Sequence, residues 1–276
     1  MSRDRFKYVS LTTPDGASIA YGEMGQGSPV LLIPGANDGM STIARQTFGG
    51  PVSSLYRRYA HAHRVIGVCR RDPLPPGANP RSLAADYAWV IEKLALGPVH
   101  VEGGSAGGPV ALWLAIDRPD LVRSLVLSAT LAHTDEKFRI MIGQWINWIR
   151  AKKWYALEWD VVYRGASPRF RKLAWLFFLL MWLMPGEKNV ARQIALLEGL
   201  SDFDFRPDLA RIVCPTLVIG GDVDMVTRFE LQQELAKGIP NASQVIIRDQ
   251  GHAYAFEKPT EHVRHVLTFY AEAEKS

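Results

Sequence analysis

The sequence has little cysteine and no long apolar run. Only two of its 276 residues are cysteines, Cys69 and Cys214, and each lies beside a short apolar stretch. Two cysteines cannot build a disulfide scaffold, so we expect two buried free thiols in a reducing compartment. The longest unbroken apolar stretch, residues 173–184, has 12 residues, whereas a helix that crosses a bilayer needs about 20. The sequence therefore predicts no transmembrane helix.

The first ten residues also lack the apolar segment of a secretory signal peptide, because charged residues occupy the stretch from Arg3 to Lys7. We therefore expect a cytoplasmic protein. The composition, 47% hydrophobic and 22% charged with a formal net charge of +4, excludes disordered and collagen-like chains.

The positive charge is concentrated in residues 137–172, which carry nine basic and two acidic side chains. A nucleic-acid interface usually combines such charge with a recognisable recognition fold. Here tryptophans alternate with the basic residues, which is more typical of an amphipathic subdomain. We therefore expect no nucleic-acid partner.

Strand-length apolar runs alternate with helical patterns along most of the chain. Most runs are continuous, as in strands that are buried on both faces of a parallel sheet. The first two, residues 7–11 and 18–22, flank a Pro14-Asp15-Gly16 turn signal and predict an antiparallel start. The pattern therefore predicts an α/β fold with a mostly parallel, doubly wound sheet.

The alternation stops between residues 131 and 207, which hold six of the eight tryptophans and no strand-like run. Because strand–helix alternation resumes afterwards, this interval predicts an insertion. We expect a core domain of residues 1–130 and 208–276 that carries an all-helical cap of residues 131–207.

A glycine-rich turn, Gly103 to Gly108, follows one predicted strand and opens a helix, with Ser105 at its centre. A tight strand-to-helix turn pushes a serine hydroxyl clear of the sheet and requires very small neighbours. Such turns also bind phosphates, but the G-x-G-x-x-G spacing and a P-loop lysine are absent. The pattern favours Ser105 as a nucleophile.

A serine nucleophile needs a general base and an acid that orients the base. His252 is the best candidate base, because it lies in a loop between the last predicted strand and the last helix. Asp222 and Asp224 both follow another strand and are candidates for the acid. The pair His61 and His63 has no third ligand nearby in sequence, so we expect no metal site.

An acyl-transfer site also needs donors for the oxyanion. The backbone N–H of Ala106 is one candidate, because it directly follows the nucleophile. The second is expected from the loop of small residues at positions 34–39.

With these features the chain resembles the α/β-hydrolase fold superfamily, and within it the capped, esterase-like hydrolases with a serine nucleophile. The order Ser105, acid, His252 matches the family, as does the place of the helical insertion. The resemblance implies an acid three residues after the glycine that ends the seventh strand, which selects Asp224 over Asp222. It also implies that Ala36 supplies the second oxyanion donor.

Two stretches depart from the family pattern. Where the family usually has a His-Gly pair before the oxyanion residue, this chain has Pro34-Gly35. After the fourth strand the family often has Asp-x-Arg-Gly-x-Gly-x-Ser, whereas residues 70–77 read Arg-Arg-Asp-Pro-Leu-Pro-Pro-Gly. We expect this proline-rich loop to reshape one wall of the pocket.

The resemblance implies a serine hydrolase that cleaves carboxylic esters without cofactor or metal. A serine at position 105 excludes haloalkane dehalogenases and epoxide hydrolases of this fold, which use aspartate there. Other chemistries of the same triad stay open: lactonase, C–C bond hydrolase, aminopeptidase, perhydrolase and hydroxynitrile lyase. A receptor that keeps the triad but turns over slowly is an alternative of another class.

The cap is expected to set the specificity, with Trp145 and Trp148 as candidate substrate contacts. Residues 169–184 predict a helix that is apolar on all sides after its basic start. Its surplus apolar surface predicts internal packing, a pocket lining, a homodimer contact through the cap, or an interfacial membrane contact, of which we expect the last least. We therefore expect a small, hydrophobic ester as substrate.

Overall fold

The computed structural model describes residues 7–36, 55–172 and 189–275. Eight strands form one sheet in the order β1-β2-β4-β3-β5-β6-β7-β8. β1 pairs antiparallel with β2, and β2 with β4, while all other neighbours are parallel. The strands are β1 (Lys7–Thr12), β2 (Ser18–Met24), β3 (Ser28–Ile33), β4 (His63–Val68), β5 (Val99–Gly104), β6 (Val122–Ser128), β7 (Thr216–Gly221) and β8 (Ala242–Ile247).

The described helices alternate with the strands and continue through the interval between β6 and β7. The first of them starts at Pro80 and begins with a capping box. The Asn79 side chain accepts a hydrogen bond from the Ser82 N–H, and the Asn79 N–H donates to the Ser82 hydroxyl. The α-helices are α1 (Pro80–Lys93), α2 (Gly108–Asp117), α3 (Glu136–Arg150), α4 (Trp154–Gly165), α5 (Pro168–Arg171), α6 (Val190–Gly199), α7 (Phe229–Gly238), α8 (Tyr254–Glu257) and α9 (Pro259–Ala273).

The sheet is covered on both faces. On one face, α1, α2 and α7 pack against the strands through side chains that include Leu83 of α1, Leu112 of α2 and Leu235 of α7. On the other face, α9 buries Val266 and Tyr270 against a second set. The predicted doubly wound, mostly parallel α/β sheet with an antiparallel start is therefore confirmed, as is the burial of both cysteines as free thiols.

The described residues between β6 and β7 form helices α3 to α6 and no strand. Helices α3, α4 and α6 share an apolar cluster that includes Ile142 and Trp145, and Val226 and Leu231, which follow β7, complete it. The insertion thus packs onto the loop that follows β7, while its division from the core at residues 131 and 207 stays a prediction. The apolar run at residues 173–184 lies outside the described residues.

Within the described part of the chain, none of the helices has the length and apolarity needed to cross a membrane.

Candidate active site

Ser105 lies on a sharp turn between β5 and α2. Its backbone has φ of 49°, in the left-handed region that costs energy for any residue with a Cβ atom. A side chain on Gly103 would lie 2.7 Å from the Ala111 Cβ, and one on Gly107 would overlap the Ile33 carbonyl oxygen. Small residues therefore allow the turn to close, and the strained backbone presents the Ser105 hydroxyl at the carboxyl edge of the sheet.

His252 faces this hydroxyl from the loop that follows β8. Its Nε2 lies 2.8 Å from the Ser105 Oγ, which is hydrogen-bond distance. Ala253, the next residue, donates its N–H to the Gly165 carbonyl at the end of α4. The inserted helices thus help to hold the histidine loop in place.

Asp224 contacts the other side of the His252 ring, so that Ser105, His252 and Asp224 form a continuous row of hydrogen-bonded groups. One of its carboxylate oxygens, Oδ2, lies 2.9 Å from the His252 Nδ1 and accepts from the Thr227 hydroxyl at 2.7 Å. The other oxygen accepts from the N–H groups of Val226 and Thr227 at 2.7 and 2.9 Å. Burial by itself raises the pKa of Asp224, but His252 and these hydrogen bonds outweigh it and lower the pKa below its usual value. A buried, ionised carboxylate therefore faces the imidazole.

Asp222, the other candidate acid, lies away from the histidine. Its described ionic partner is the exposed side chain of Arg248, at 3.5 Å. The structure therefore brings Asp224 to His252 and leaves Asp222 outside the row.

The two predicted oxyanion residues border the same cavity as Ser105. Ala36 follows β3, Ala106 follows the serine, and both line the space in front of the hydroxyl. Residues 37–39 of the same predicted loop lie outside the described residues.

A buried arginine, which the sequence analysis did not single out, joins these two segments. Arg70 is 2% exposed and lies just after β4. Its guanidinium donates to the carbonyl oxygens of Pro34 at 2.8 Å, Gly35 at 2.9 Å and Ala106 at 3.1 Å. Arg70 therefore supports the oxyanion loop, in which Pro34 stands where the family usually has a histidine.

A second buried arginine connects the inserted helices to this support. Arg192 of α6 is 4% exposed and donates to the carbonyl oxygens of Arg70 at 3.0 Å and Arg71 at 2.7 Å. It also lies 3.3 Å from the Asp72 carboxylate. The loop after β4 is thus fixed from both sides, by the sheet domain and by α6.

The cavity above Ser105 has a mostly apolar wall. Trp145 forms part of this wall, with its indole N–H held 2.7 Å from Asp160, whereas Trp148 packs against the helical cluster and is not among the lining residues described. The described lining holds no charged side chain. It consists of Ala36, Ser105, Ala106, Pro109, Thr130, Leu131, Phe138, Ile142, Trp145, Leu197, Leu200, Phe203, Val226 and Thr227.

Comparison with known proteins places the chain in a family. The family model described as alpha/beta hydrolase fold matches residues 65–259. A Mycobacterium tuberculosis protein that bears the name non-heme bromoperoxidase BpoC is 28% identical over 267 residues, which are 92% of this chain and 98% of that protein. A Pseudomonas savastanoi protein named carbamate hydrolase RutD is 30% identical over 209 residues, 71% of this chain and 76% of that protein.

A solved structure shows the same fold. MGS-M2, an alpha/beta hydrolase enzyme from a Medee basin deep-sea metagenome library, matches with a TM-score of 0.85 at 20% identity. The match covers 95% of this chain and 97% of that one.

Proposed function

The chain belongs to the α/β-hydrolase fold family, and we propose that it is a serine hydrolase that cleaves small, apolar carboxylic esters. The observation that carries this proposal is the continuous row Ser105–His252–Asp224, with distances of 2.8 and 2.9 Å. A nucleophile, a base in contact with it and a buried acid behind the base are the parts that acyl transfer needs.

The geometry supports a two-step reaction. His252 takes the proton from the Ser105 hydroxyl as the oxygen attacks the ester carbonyl, and Asp224 stabilises the imidazolium that forms. The N–H groups of Ala36 and Ala106 bind the oxyanion. His252 then gives its proton to the leaving alcohol, which leaves an acyl group on Ser105.

The second step repeats the first with water in place of serine. His252 takes a proton from water, the hydroxide attacks the acyl carbonyl, and the Ser105 oxygen leaves and recovers its proton. Release of the acid restores the free hydroxyl. These two reaction steps use only the named residues and water.

The cavity supports the choice of substrate. Its described wall is apolar apart from the hydroxyls of Ser105, Thr130 and Thr227, and a mostly apolar wall with a few polar groups is typical of small-molecule sites. A neutral ester with a hydrophobic acyl or alcohol group fits such a wall, because a charged group would lose its hydration without a partner.

The test is active-site labelling combined with turnover. An activated phosphonate should label the chain once, at Ser105, and Ser105→Ala should lower the turnover of p-nitrophenyl acetate by about 10³-fold or more. Ser201→Ala in the insertion is the matched control and should keep both labelling and turnover.

Two results would contradict the proposal. If Ser105→Ala kept a tenth of the ester hydrolysis, another group would be the nucleophile. If the chain were labelled but showed a burst without steady turnover, it would be a ligand-binding receptor. Lactones, amides and a carbamate in the same assay test the other chemistries of the triad.

A second candidate is perhydrolysis, which the relative named non-heme bromoperoxidase favours because it matches 92% of this chain. In this reaction hydrogen peroxide, in place of water, attacks the acyl group on Ser105, and the product is a peroxy acid. The peroxy acid would then oxidise bromide outside the site. Bromination of a phenol dye in acetate, peroxide and bromide should be lost in Ser105→Ala if this candidate is right.

A further inference from the structure

Three potential metal ligands meet at the edge of the sheet opposite to Ser105. They are His63, the first residue of β4, His100, the second residue of β5, and Glu274, just after α9. One ring nitrogen of each histidine and one carboxylate oxygen of Glu274 lie within 4.8 Å of one another. No third ligand is recognisable near His61 and His63 in the sequence, because the partners of His63 are 37 and 211 positions further along the chain.

The two histidines are buried and have nitrogens to offer. His63 is 5% and His100 0% exposed, and their rings meet edge to face with centroids 5.7 Å apart. The Nδ1 of His63 is buried without a hydrogen-bond partner among the described residues. A buried nitrogen without a partner costs free energy that a bound cation would recover.

His100 is oriented as a metal ligand usually is. Its Nδ1 lies 2.7 Å from the Ser124 hydroxyl, and its Nε2 lies 3.4 Å from the Glu274 carboxylate. A serine hydroxyl can accept as well as donate, so it can hold the tautomer in which Nε2 carries the free lone pair. Metal-bound histidines are typically fixed through their other nitrogen in this way.

The carboxylate is also held. Glu274 receives a hydrogen bond from the Ser28 side chain. Its side chain is 34% exposed, which leaves an entry path and freedom to move. Tyr270 packs against both histidine rings, with centroids at 5.4 and 4.5 Å, and closes the other side.

We propose that His63, His100 and Glu274 form a zinc site that fastens the end of α9 to the amino edge of the sheet. Two imidazoles and one carboxylate are ligands that Zn²⁺ accepts, with water as the fourth. Tetrahedral bonds of about 2.0–2.1 Å put ligand atoms about 3.4 Å apart. The Glu274–His100 pair already has this spacing at 3.4 Å, and the other ligand atoms, which lie within 4.8 Å, would have to move by at most about 1.4 Å.

The site is separate from the ester chemistry. His100 and Ser105 are five residues apart along an extended strand, which corresponds to about 16 Å at about 3.3 Å per residue. The ion would join β4, β5 and α9, so its effect is on stability, and ester turnover should be unchanged.

The experiment measures Zn²⁺ binding to the whole chain by equilibrium dialysis with metal analysis. We expect one Zn²⁺ per chain and a melting temperature about 5 °C higher at a hundredfold excess over Kd. Glu274→Ala and His63→Gln should each weaken binding about tenfold or more. Glu272→Ala is the matched control. It removes a carboxylate two residues before Glu274, near the end of α9, and should bind Zn²⁺ as the parent does.

Glu274 is exposed, so its variant tests the site without disturbing the core. Co²⁺ in place of Zn²⁺ should give visible absorption bands of a four-coordinate ion, and Glu274→Ala should change these bands. The proposal is overturned if the parent chain takes up no Zn²⁺, or if Glu274→Ala and His63→Gln bind within twofold of the parent, which would indicate adventitious binding at other histidines.

Discussion

The guanidinium of Arg70 donates a hydrogen bond to the carbonyl oxygen of Ala106, 36 residues further along the chain. The same group holds the carbonyls of Pro34 and Gly35, so one side chain fixes both segments that carry the proposed oxyanion donors. The N–H of Ala106 belongs to the segment that leads directly away from Ser105. The distance between the two proposed donors therefore depends on Arg70.

We predict that Arg70→Gln lowers kcat for p-nitrophenyl acetate by about tenfold or more, with KM changed little. The reason is that a displaced donor weakens binding of the transition state more than binding of the ester. Arg70→Lys should recover only part of the rate, because an ammonium cannot match the planar fork of donors.

Affinity for an inhibitor whose adduct with Ser105 carries an oxyanion distinguishes a role in positioning the donors from a role in folding. Affinity for a trifluoromethyl ketone should fall by the same factor as kcat in Arg70→Gln. Arg64→Gln, which removes a surface ion pair with Glu23, is the control. If the variant lost rate but kept its affinity for the ketone, Arg70 would not act through the oxyanion donors.

Asp224→Asn should lower kcat by about 10³-fold or more while the chain stays folded. An amide at this position cannot stabilise the imidazolium of His252 or hold the same tautomer. Asp222→Asn should change kcat less than twofold, since the described ion pair of Asp222 is with Arg248 and not with His252. Equal losses in the two variants, at equal melting temperature, would contradict the assignment of the acid.

The sequence carries the features that are local in the chain. The apolar spacing of residues 229–238 is typical of a helix, and the structure has α7 there, because this spacing depends only on residues close together in the chain. The turn at Ser105 was recognisable for the same reason, since the glycines that permit it lie within three positions of the serine. Strand β5 extends through Gly103 and Gly104, which were predicted to belong to the turn, because β6 pairs with it along its full length.

Features that depend on packing between distant segments were not recognisable. Arg70 looks like any charged residue at the end of a strand, and only the closeness of β3 and β5 gives it three carbonyl partners. The choice between Asp222 and Asp224 needed the family pattern, because both follow the same strand. The meeting of His63, His100 and Glu274 depends on where α9 ends relative to the sheet.

Asp86 of α1 gives a stability prediction with a defined pH range. Burial, opposed by Arg71 at 3.3 Å, raises the pKa of Asp86 to about 6. Its contribution to stability is complete below the unfolded pKa of about 4 and is lost as the pH rises to about 6. Asp86→Asn should therefore gain stability relative to the parent across this range, by about 1 kcal/mol after allowance for solvent screening.

Urea unfolding at pH 4, 5, 6 and 7 checks this prediction. Asp120→Asn is the control, because the hydrogen bond with Arg118 lowers the pKa of Asp120, so its stability difference from the parent should change below about pH 4 and stay nearly constant from pH 5 to 7. A constant difference between Asp86→Asn and the parent at all four values would contradict the raised pKa.

The cavity predicts how ester hydrolysis depends on acyl length. Each methylene buried against the apolar wall contributes about 0.8 kcal/mol at most, so kcat/KM should rise up to about fourfold per carbon until the space is filled. Leu200 lines the cavity and is 5% exposed. Leu200→Ala removes three carbons from the wall and should move the preferred chain two or three carbons longer.

A series of p-nitrophenyl esters from acetate to decanoate, each below its micelle concentration, measures this preference. Leu157→Ala is the control, because Leu157 is buried in the inserted helices but is not among the described lining residues. It should cost stability, about 2–5 kcal/mol, without moving the preferred length. If kcat/KM fell steadily from acetate onward in the parent and in Leu200→Ala alike, the acyl group would not enter this cavity, and the apolar wall would have to contact the alcohol part of the ester.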